Sequence, residues 1–374
     1  MKLNFKLDIK NMANLQPVAK SISVKQVNLT NNAYRYDENE HYLLPDKLPI
    51  TTRLDGFGFK LAKTLKDWQN NLNNLTYPLI AESKLDGIRC QIIIIPNKDF
   101  TQIKAWPYTR AGNKILAIDH IVKDLESHYN PDYARETKVL TNEYPVIVLD
   151  GELQDDSATA PFRIVNGLAN RNATDIETET LHYHIYNMYY ANRGLQPISQ
   201  IAKHRYYDTL SYLGFSECNH VSRISCSYLI ATKIELIQLI NELRESKAEG
   251  LIIKSINETI NNNRTSDWLK IKFKKRGTFR LSEIIPGEGK CAGTTGAIVV
   301  TDRNGNQSKV GTGFTDCQRD ELFKYINSLA TSPIMVEIEY MALTKGSLRE
   351  AVYLGIRQDI RFSPEVLDIF EDRG

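Results

Sequence analysis

Glu82-Ser83-Lys84-Leu85-Asp86-Gly87-Ile88-Arg89 is the stretch on which the reading of this chain turns. It frames one lysine with a carboxylate two residues on, a glycine next, and an arginine five residues on. It then runs into Ile92 to Ile95, the pattern of a buried strand. A lysine amine is a poor nucleophile while protonated, with an ordinary pKa of about 10.4. Nearby Arg89 and partial burial would both disfavour the ammonium; lowering the pKa toward about 7 shifts the protonation balance by roughly 4 kcal/mol. A lysine so placed forms covalent bonds to its substrate. Gly87 would let a phosphate approach the backbone closely, and Arg89 would grip its oxygens at two points. Taken alone, the same residues also read as a surface turn, because Asp-Gly is a common turn dipeptide.

The bulk properties leave room for both readings. The chain has 374 residues, enough for two or three domains. An apolar content of 42% and a charged content of 25% are ordinary for a globular protein. A net charge of +2 means that any nucleic-acid affinity must come from local patches. No apolar run approaches the about 18 residues needed to span a bilayer, so no membrane partner is expected. Met1-Lys2-Leu3-Asn4-Phe5-Lys6 lacks the apolar region of a secretory signal, so a cytoplasmic location is expected, the host's cytoplasm for a viral source. Cys90, Cys218, Cys226, Cys291 and Cys317 are scattered, odd in number and without C-x-x-C spacing. They point to a reducing compartment and away from a zinc ribbon or a disulfide framework. His182 and His184 share a strand face, but two histidines without a third ligand suggest no zinc site.

Residues 1–43 are polar and Asn-rich, an N-terminal extension of unknown role. Pro45, Pro49 and Gly56-Phe57-Gly58 lead to an expected short helix from Leu61 to Trp68. β-Branched and aromatic runs bounded by turn residues predict strands at Ile88 to Ile95, Ile103 to Tyr108, Val146 to Leu149, His182 to Tyr189, Leu251 to Ile253 and Trp268 to Phe273. Helices are expected over Ala117 to His128, Ile201 to Leu213 and Lys233 to Arg244, the last on its apolar spacing. Lys274-Lys275-Arg276-Gly277 reads as a basic linker. Beyond it, Phe279 to Pro286, Gly296 to Val300, Gln307 to Val310 and Met335 to Tyr340 read as short strands, with a helix near Asp316 to Leu329. That set suggests a small closed barrel such as an OB-fold. The expected organisation is an extension over 1–43, a domain over 44–273, a hinge at 274–277 and a barrel over 278–374.

Further motifs follow Lys84 in order: Tyr108-Thr109-Arg110-Ala111-Gly112, Leu149-Asp150-Gly151-Glu152-Leu153, His184-Ile185-Tyr186-Asn187-Met188, Glu249-Gly250-Leu251-Ile252-Ile253-Lys254, and Arg264 through Trp268-Leu269-Lys270-Ile271-Lys272. Each has an ordinary structural reading: Glu152 as a solvated strand end, Tyr186 as a core aromatic, Lys270 and Lys272 as a solvated strand face. Together they fit one chemistry. Strand alternation puts Lys270 and Lys272 on one face, where both reach one phosphate group. Glu152 and Glu249 suit Mg²⁺, a hard cation that prefers oxygen. Tyr186 offers a flat face to a purine, and Arg89 and Arg110 supply two-point donors. From Lys254 to Arg280, eight basic side chains stand against two acidic ones, a patch suited to a phosphate backbone.

With these motifs in this order, from Leu79 to Arg361, the chain resembles the ATP-dependent DNA ligases, above all the small two-domain bacteriophage type within the covalent nucleotidyltransferases. The resemblance implies an α+β fold: a nucleotidyltransferase domain, ATP-grasp-like, with antiparallel sheets and flanking helices, followed by a C-terminal OB-fold β-barrel. It implies that Lys84 forms a lysyl-AMP intermediate and that Glu82 lies beside the adenine. It also implies that Ser83, Leu85, Arg89, Arg110, Glu152, Tyr186, Arg264, Lys270, Lys272 and Arg357 contact ATP. Glu152 and Glu249 match the positions that hold Mg²⁺, with Mn²⁺ as a substitute. Gly287-Glu288-Gly289-Lys290, Val310-Gly311-Thr312-Gly313-Phe314 and Gly346-Ser347-Leu348-Arg349 are similar to the family's OB domain, and Gly355-Ile356-Arg357-Gln358-Asp359 to its last motif. The implied partner is nicked double-stranded DNA, sealed by a monomer in replication, repair or recombination.

Three departures stand out. Ile360 follows Asp359 where the family carries a lysine, with Arg361 as its possible replacement; Asn187 stands where an aspartate is common; and the lead before Lys84 is long. An RNA ligase or a GTP-dependent capping-type nucleotidyltransferase shares the same chemistry, and an inactive DNA-end-binding protein would share the fold. An NAD-dependent ligase is disfavoured by the lack of a four-cysteine zinc module.

Overall fold

A computed structural model describes residues 35–36, 42–44, 46–48, 61–142, 145–155, 162–191, 197–200, 209–223, 227–246, 248–256, 264–327, 329, 334–344 and 346–357. The chain divides into two compact units, Met1–Ile271 and Lys272–Gly374. Among the described residues no helix is long and apolar enough to cross a membrane, which says nothing of strands.

In the first unit, β1 (Arg35–Tyr36) and β2 (Tyr42–Leu43) form a small antiparallel pair. Two larger sheets follow. One, of five strands, has the order β11 (Ser227–Ile230), β4 (Leu79–Ser83), β12 (Gly250–Ser255), β13 (Arg264–Lys272), β3 (Leu61–Thr64). The other has the order β10 (Val221–Arg223), β8 (Leu181–Ala191), β7 (Val146–Asp155), β5 (Ile88–Pro96), β6 (Ile103–Thr109), with β9 (Pro197–Gln200) also on β8. The central pairings β5–β6, β5–β7 and β7–β8 are antiparallel. The decisive stretch is therefore the crossover between sheets: Ser83 ends a strand of one, and Ile88 begins a strand of the other.

The isoleucine run explains why β5 sits at the centre. Alternate side chains of a strand point to opposite faces. Ile92 and Ile94 pack with Ile121 and Leu125 of α2 (Asp119–His128) and with Val165 and Leu168 of the helix Phe162–Ala169. Ile93 and Ile95 pack on the other side with Leu44, Leu48, Tyr108 and Tyr189. A strand covered on both faces reads as a continuous apolar run. Thr232 caps the helix Lys233–Glu245, accepting from the Glu235 amide, and Leu236, Leu239, Ile240 and Leu243 are buried.

The expected helix at Leu61 to Trp68 is corrected. Leu61–Thr64 is a strand in parallel pairing with β13, and α1 covers only Trp68–Asn71. Pairing with a distant strand overrode local propensity, as tertiary context does. Most of the helix expected over Ile201 to Leu213 lies outside the described residues; 209–212 are helical.

The second unit is built on β14 (Lys275–Pro286), which pairs with both β15 (Thr295–Thr301) and β17 (Ile334–Tyr340). The order is β16 (Gln307–Val310), β15, β14, β17 and the strand Val352–Ile356. The two edges meet at the bridge Thr312↔Val352, where the Tyr353 amide donates to the Thr312 carbonyl at 2.9 Å. Gly313 makes that approach possible: its φ is +97°, and a Cβ there would lie 2.4 Å from the Tyr353 carbonyl oxygen. Phe279, Leu281, Val300, Val336 and Ile338 fill the interior with Leu322 of the helix Asp316–Phe323. Lys275, Arg276 and Gly277, read from sequence as linker, are the first residues of β14. Lys274 and Arg276 both reach Glu339, at 2.8 and 3.3 Å.

Candidate active site

Lys84 follows β4 directly, and its amide donates to the Gly250 carbonyl at 2.9 Å, continuing the β4–β12 pairing by one residue. That pairing sets Glu249, just before β12, beside Lys84. Lys84 Nζ forms an ion pair with Glu249 Oε2 and donates to the Leu85 carbonyl at 3.3 Å. Ser83 and Leu85 are half-buried on either side.

Gly87 is needed for close packing of protein on protein. A Cβ there would lie 2.1 Å from the Leu153 carbonyl oxygen and 2.8 Å from Glu152 Cγ. The glycine thus lets the crossover pass against β7, and Arg89 then falls opposite Glu152 in register.

Arg89 is held by Asp150. Its Nε donates to Asp150 Oδ1 at 3.0 Å and its Nη2 to Asp150 Oδ2 at 2.6 Å. Burial works against its charge, but Asp150, Tyr186 and Glu152 outweigh burial and hold the guanidinium firmly protonated. Asp150 was visible beside Glu152 in the sequence without being assigned a role. Its burial and its paired arginine are what mark it.

Burial pushes the Glu152 carboxyl up to about 7, against the pull of Lys84 and Arg89 and with a further push from Asp150 and Glu249. A carboxyl raised by acidic neighbours beside a lysine marks an oxygen-rich point suited to a hard divalent cation, and Glu152 and Glu249 are the residues that fit it.

The two sheets meet at an aromatic pair. Tyr186 of β8 and Trp268 of β13 pack edge to face, centroids 6.0 Å apart. Arg89 Cζ lies 5.4 Å from the Tyr186 centroid, and Lys254 Nζ lies 5.2 Å from Tyr186 and 4.3 Å from Trp268. Lys254 also donates to the Tyr186 carbonyl at 2.7 Å. The sequence places Lys254 in the basic patch and Trp268 on a strand, with no part in the nucleotide site for either.

Glu82, expected beside an adenine, is 1% exposed. One oxygen meets Lys254 Nζ at 2.6 Å and the other accepts from Ser227 Oγ at 2.8 Å. Arg110 is exposed in the turn after β6, one residue beyond the pair Cys90↔Thr109 and so across from Arg89. Lys270 is half-buried on β13; the side chain of Arg264 lies outside the described residues. In the C-terminal unit, Lys272 holds both oxygens of Glu350, at 2.7 and 2.6 Å, and Arg357 donates to Thr278 Oγ1 at 3.1 Å. Gln358, Asp359, Ile360 and Arg361 lie outside the described residues. The basic patch from Lys254 to Arg280 is partly neutralised internally, since Lys254, Lys272, Lys274 and Arg276 all have carboxylate partners.

The sequence profile of the "ATP dependent DNA ligase domain" family matches residues 60–272, more than half of the chain, and that of the "DNA ligase OB-like domain" matches residues 286–357. No curated protein matches. Among solved structures, "Pmar-Lig_Pre." is 21% identical with a TM-score of 0.61, over 81% of this chain and 68% of that one. A structure of the "Lig E DNA ligases" is 19% identical with a TM-score of 0.56, over 81% of this chain and all of that one. The ATP-dependent DNA ligase of bacteriophage T7 in complex with ATP is 19% identical over 80% of this chain and 98% of that one, at a TM-score of 0.43 that adds no argument. At these identities the structures speak for the fold alone, a nucleotidyltransferase domain joined to an OB-like domain. With the two profiles in the order of the two units, the chain belongs to the ATP-dependent DNA ligases.

Proposed function

We propose that this ligase seals nicks in duplex DNA through a lysyl-AMP and a DNA-adenylate. Lys84 Nζ attacks the α-phosphorus of ATP; the N–P bond forms and the bond to pyrophosphate breaks. The adenylate passes to the 5′-phosphate of the nick, and the 3′-hydroxyl then displaces AMP to close the backbone. Such chemistry asks of the protein mainly positioning and charge stabilisation.

Tyr186, with Trp268 packed against it, would offer aromatic surface for the adenine, and Arg89, held by Asp150, would reach phosphate or ribose oxygens. Glu152 and Glu249 would hold Mg²⁺. When bound, the ion would neutralise phosphate charge. Arg110, Lys270, Lys272, Arg264 and Arg357 are assigned to nucleotide or DNA phosphates on sequence position. Domain movement about Phe273 and Lys274, between β13 and β14, would let Arg357 serve the first step only. The expected setting is a monomer acting in the cytoplasm, or the host's cytoplasm, during replication, repair or recombination.

The observation that carries this reading is the Lys84–Glu249 pair beside Glu152 at the crossover between the sheets. The test is sealing of a labelled nicked duplex with ATP and Mg²⁺. Wild type should join the strands, and Lys84→Ala should not. Joining only nicked RNA, or labelling with GTP but not ATP, would move the chain to the RNA-ligase or capping reading. Binding of nicked duplex without any adenylate would mark a silent end-binding protein.

A further inference from the structure

A second cluster of reactive side chains lies at the far end of α2 and takes no part in the site at Lys84. Asp124 and His128 are four residues apart in the last turns of α2, so they share one helix face. Cys218 ends the short 3-10 turn Phe215–Glu217, just before the edge strand β10. Asp124 and Cys218 are buried and His128 is half-buried; their ligand atoms all lie within 4.8 Å of one another. Donors on a zinc ion are roughly 3.5 Å apart, given bonds of about 2.1 Å, so small side-chain rotations close the set.

We propose that Asp124, His128 and Cys218 form a binding site for a zinc-class divalent transition ion, with His220 as the fourth ligand. His220 lies outside the 4.8 Å group, but its Nδ1 is buried, makes no hydrogen bond, and lies 3.3 Å from Asp124 Oδ2. The backbone already directs this residue to the cluster, since the His220 amide donates to the same carboxylate at 2.7 Å. Two more imidazoles ring it: His120 and His182 pack against the His220 ring at 5.0 and 5.3 Å. His120 Nδ1 is likewise buried without a partner, while its Nε2 contacts the Leu181 carbonyl at 3.0 Å. Native proteins leave few buried polar atoms unpaired, and each such atom asks for a cause.

The donor set selects the ion. One thiolate, two imidazoles and a carboxylate suit Zn²⁺ or Co²⁺, whereas Mg²⁺ prefers oxygen alone. Burial and nearby Asp124 and Glu217 push the Cys218 thiol up to about 12, so the ion binds by displacing the thiol proton to solvent. Ion binding also breaks three protein contacts, His128 Nδ1 with the Asp124 carbonyl at 2.8 Å and with Ser127 Oγ at 3.3 Å, and Cys218 Sγ with the Asp124 carbonyl at 3.5 Å. The consequence is structural. The ion pins the end of α2 to the turn that leads into β10.

The test is Co²⁺ titration of the full, chelator-treated protein, followed by absorbance, without nucleotide. One equivalent should bind, with a thiolate-to-cobalt charge-transfer band that Zn²⁺ displaces. The band should vanish in Cys218→Ser, and affinity should fall about tenfold or more in His128→Gln. Cys317→Ser and Glu152→Gln should keep it, which separates this ion from any held near Lys84. Should Cys218→Ser fail to fold, Zn²⁺ protection of Cys218 against alkylation, mapped by peptide in the wild type, reads the same site. Absence of the band, its survival in Cys218→Ser, or alkylation of Cys218 unaffected by Zn²⁺ would overturn the proposal.

Discussion

Arg89 and Asp150 form a two-point contact, 3.0 Å between Nε and Oδ1 and 2.6 Å between Nη2 and Oδ2, with Asp150 only 1% exposed. This pair fixes the guanidinium that faces Tyr186 and Trp268. A lysine reproduces the charge without the planar fork. Arg89→Lys should therefore fold, yet lose about tenfold or more in the rate of lysine adenylylation. Asp150→Ala should destabilise the protein by about 3 kcal/mol, because it strands a largely buried charge. Urea denaturation and single-turnover adenylylation measure the two effects. The double variant should lose less stability than the sum of the singles.

The pair Lys254–Glu82 tests a different kind of dependence. Both side chains are essentially buried, at 2% and 1% exposure. Removing one partner from such a pair costs about 3–5 kcal/mol, while replacing both by apolar groups of similar size is often near neutral. Lys254→Met should therefore unfold at much lower denaturant than wild type, and Lys254→Met with Glu82→Leu should recover most of the loss. A single variant as stable as wild type would show that the pair contributes little.

Glu152 gives a pH dependence with a definite sign. Its folded-state pKa, raised to about 7, lies above the ordinary value of 4.5. Between those values the folded state holds more protons than the unfolded state, so stability falls as pH rises through the window. Wild type and Glu152→Gln should have similar stability near pH 5 once their constant offset is set there, and wild type should fall behind by pH 8. The same ionisation should make Mg²⁺-dependent adenylylation rise as pH passes about 7. Denaturation midpoints of both proteins across pH give the first comparison, and rate profiles at fixed Mg²⁺ the second.

Gly87 predicts a steric effect. A Cβ 2.1 Å from the Leu153 carbonyl oxygen cannot be absorbed by a flexible side chain, because the obstacle is backbone. Gly87→Ala should move the crossover, cost about 1–3 kcal/mol of stability, and lower adenylylation beyond what that instability explains. Gly289→Ala serves as the control: its φ of +57° strains a side chain, but nothing lies within 4 Å.

Particular residues show why parts of this were legible in the sequence. The isoleucines of β5 announced a strand buried on both faces; the Asp-Gly-Glu motif lies mid-strand in β7 and the Glu-Gly motif at the start of β12, and the structure brings Glu152 and Glu249 beside Lys84. Leu61–Thr64 was misread as helix because its parallel pairing with β13 is long-range. Asp150 went unassigned, and Lys254 was placed only in the basic patch, because their importance lies in partners 61 and 172 residues away, which no local pattern encodes. Cys218 looked like one of several scattered cysteines; only folding places it against Asp124, 94 residues earlier. Arg89 was read as a tuner of Lys84 as well as a phosphate donor, and its contact with Asp150 favours positioning.

The central claim is that Lys84 carries the nucleotide. It is tested most directly by incubating the full chain with labelled ATP and Mg²⁺, mapping the modified peptide, and chasing with nicked duplex. The account predicts one AMP per chain, on Lys84 Nζ, released when nicked DNA is added. Label on another residue, or an adenylate that still forms in Lys84→Ala, would contradict it.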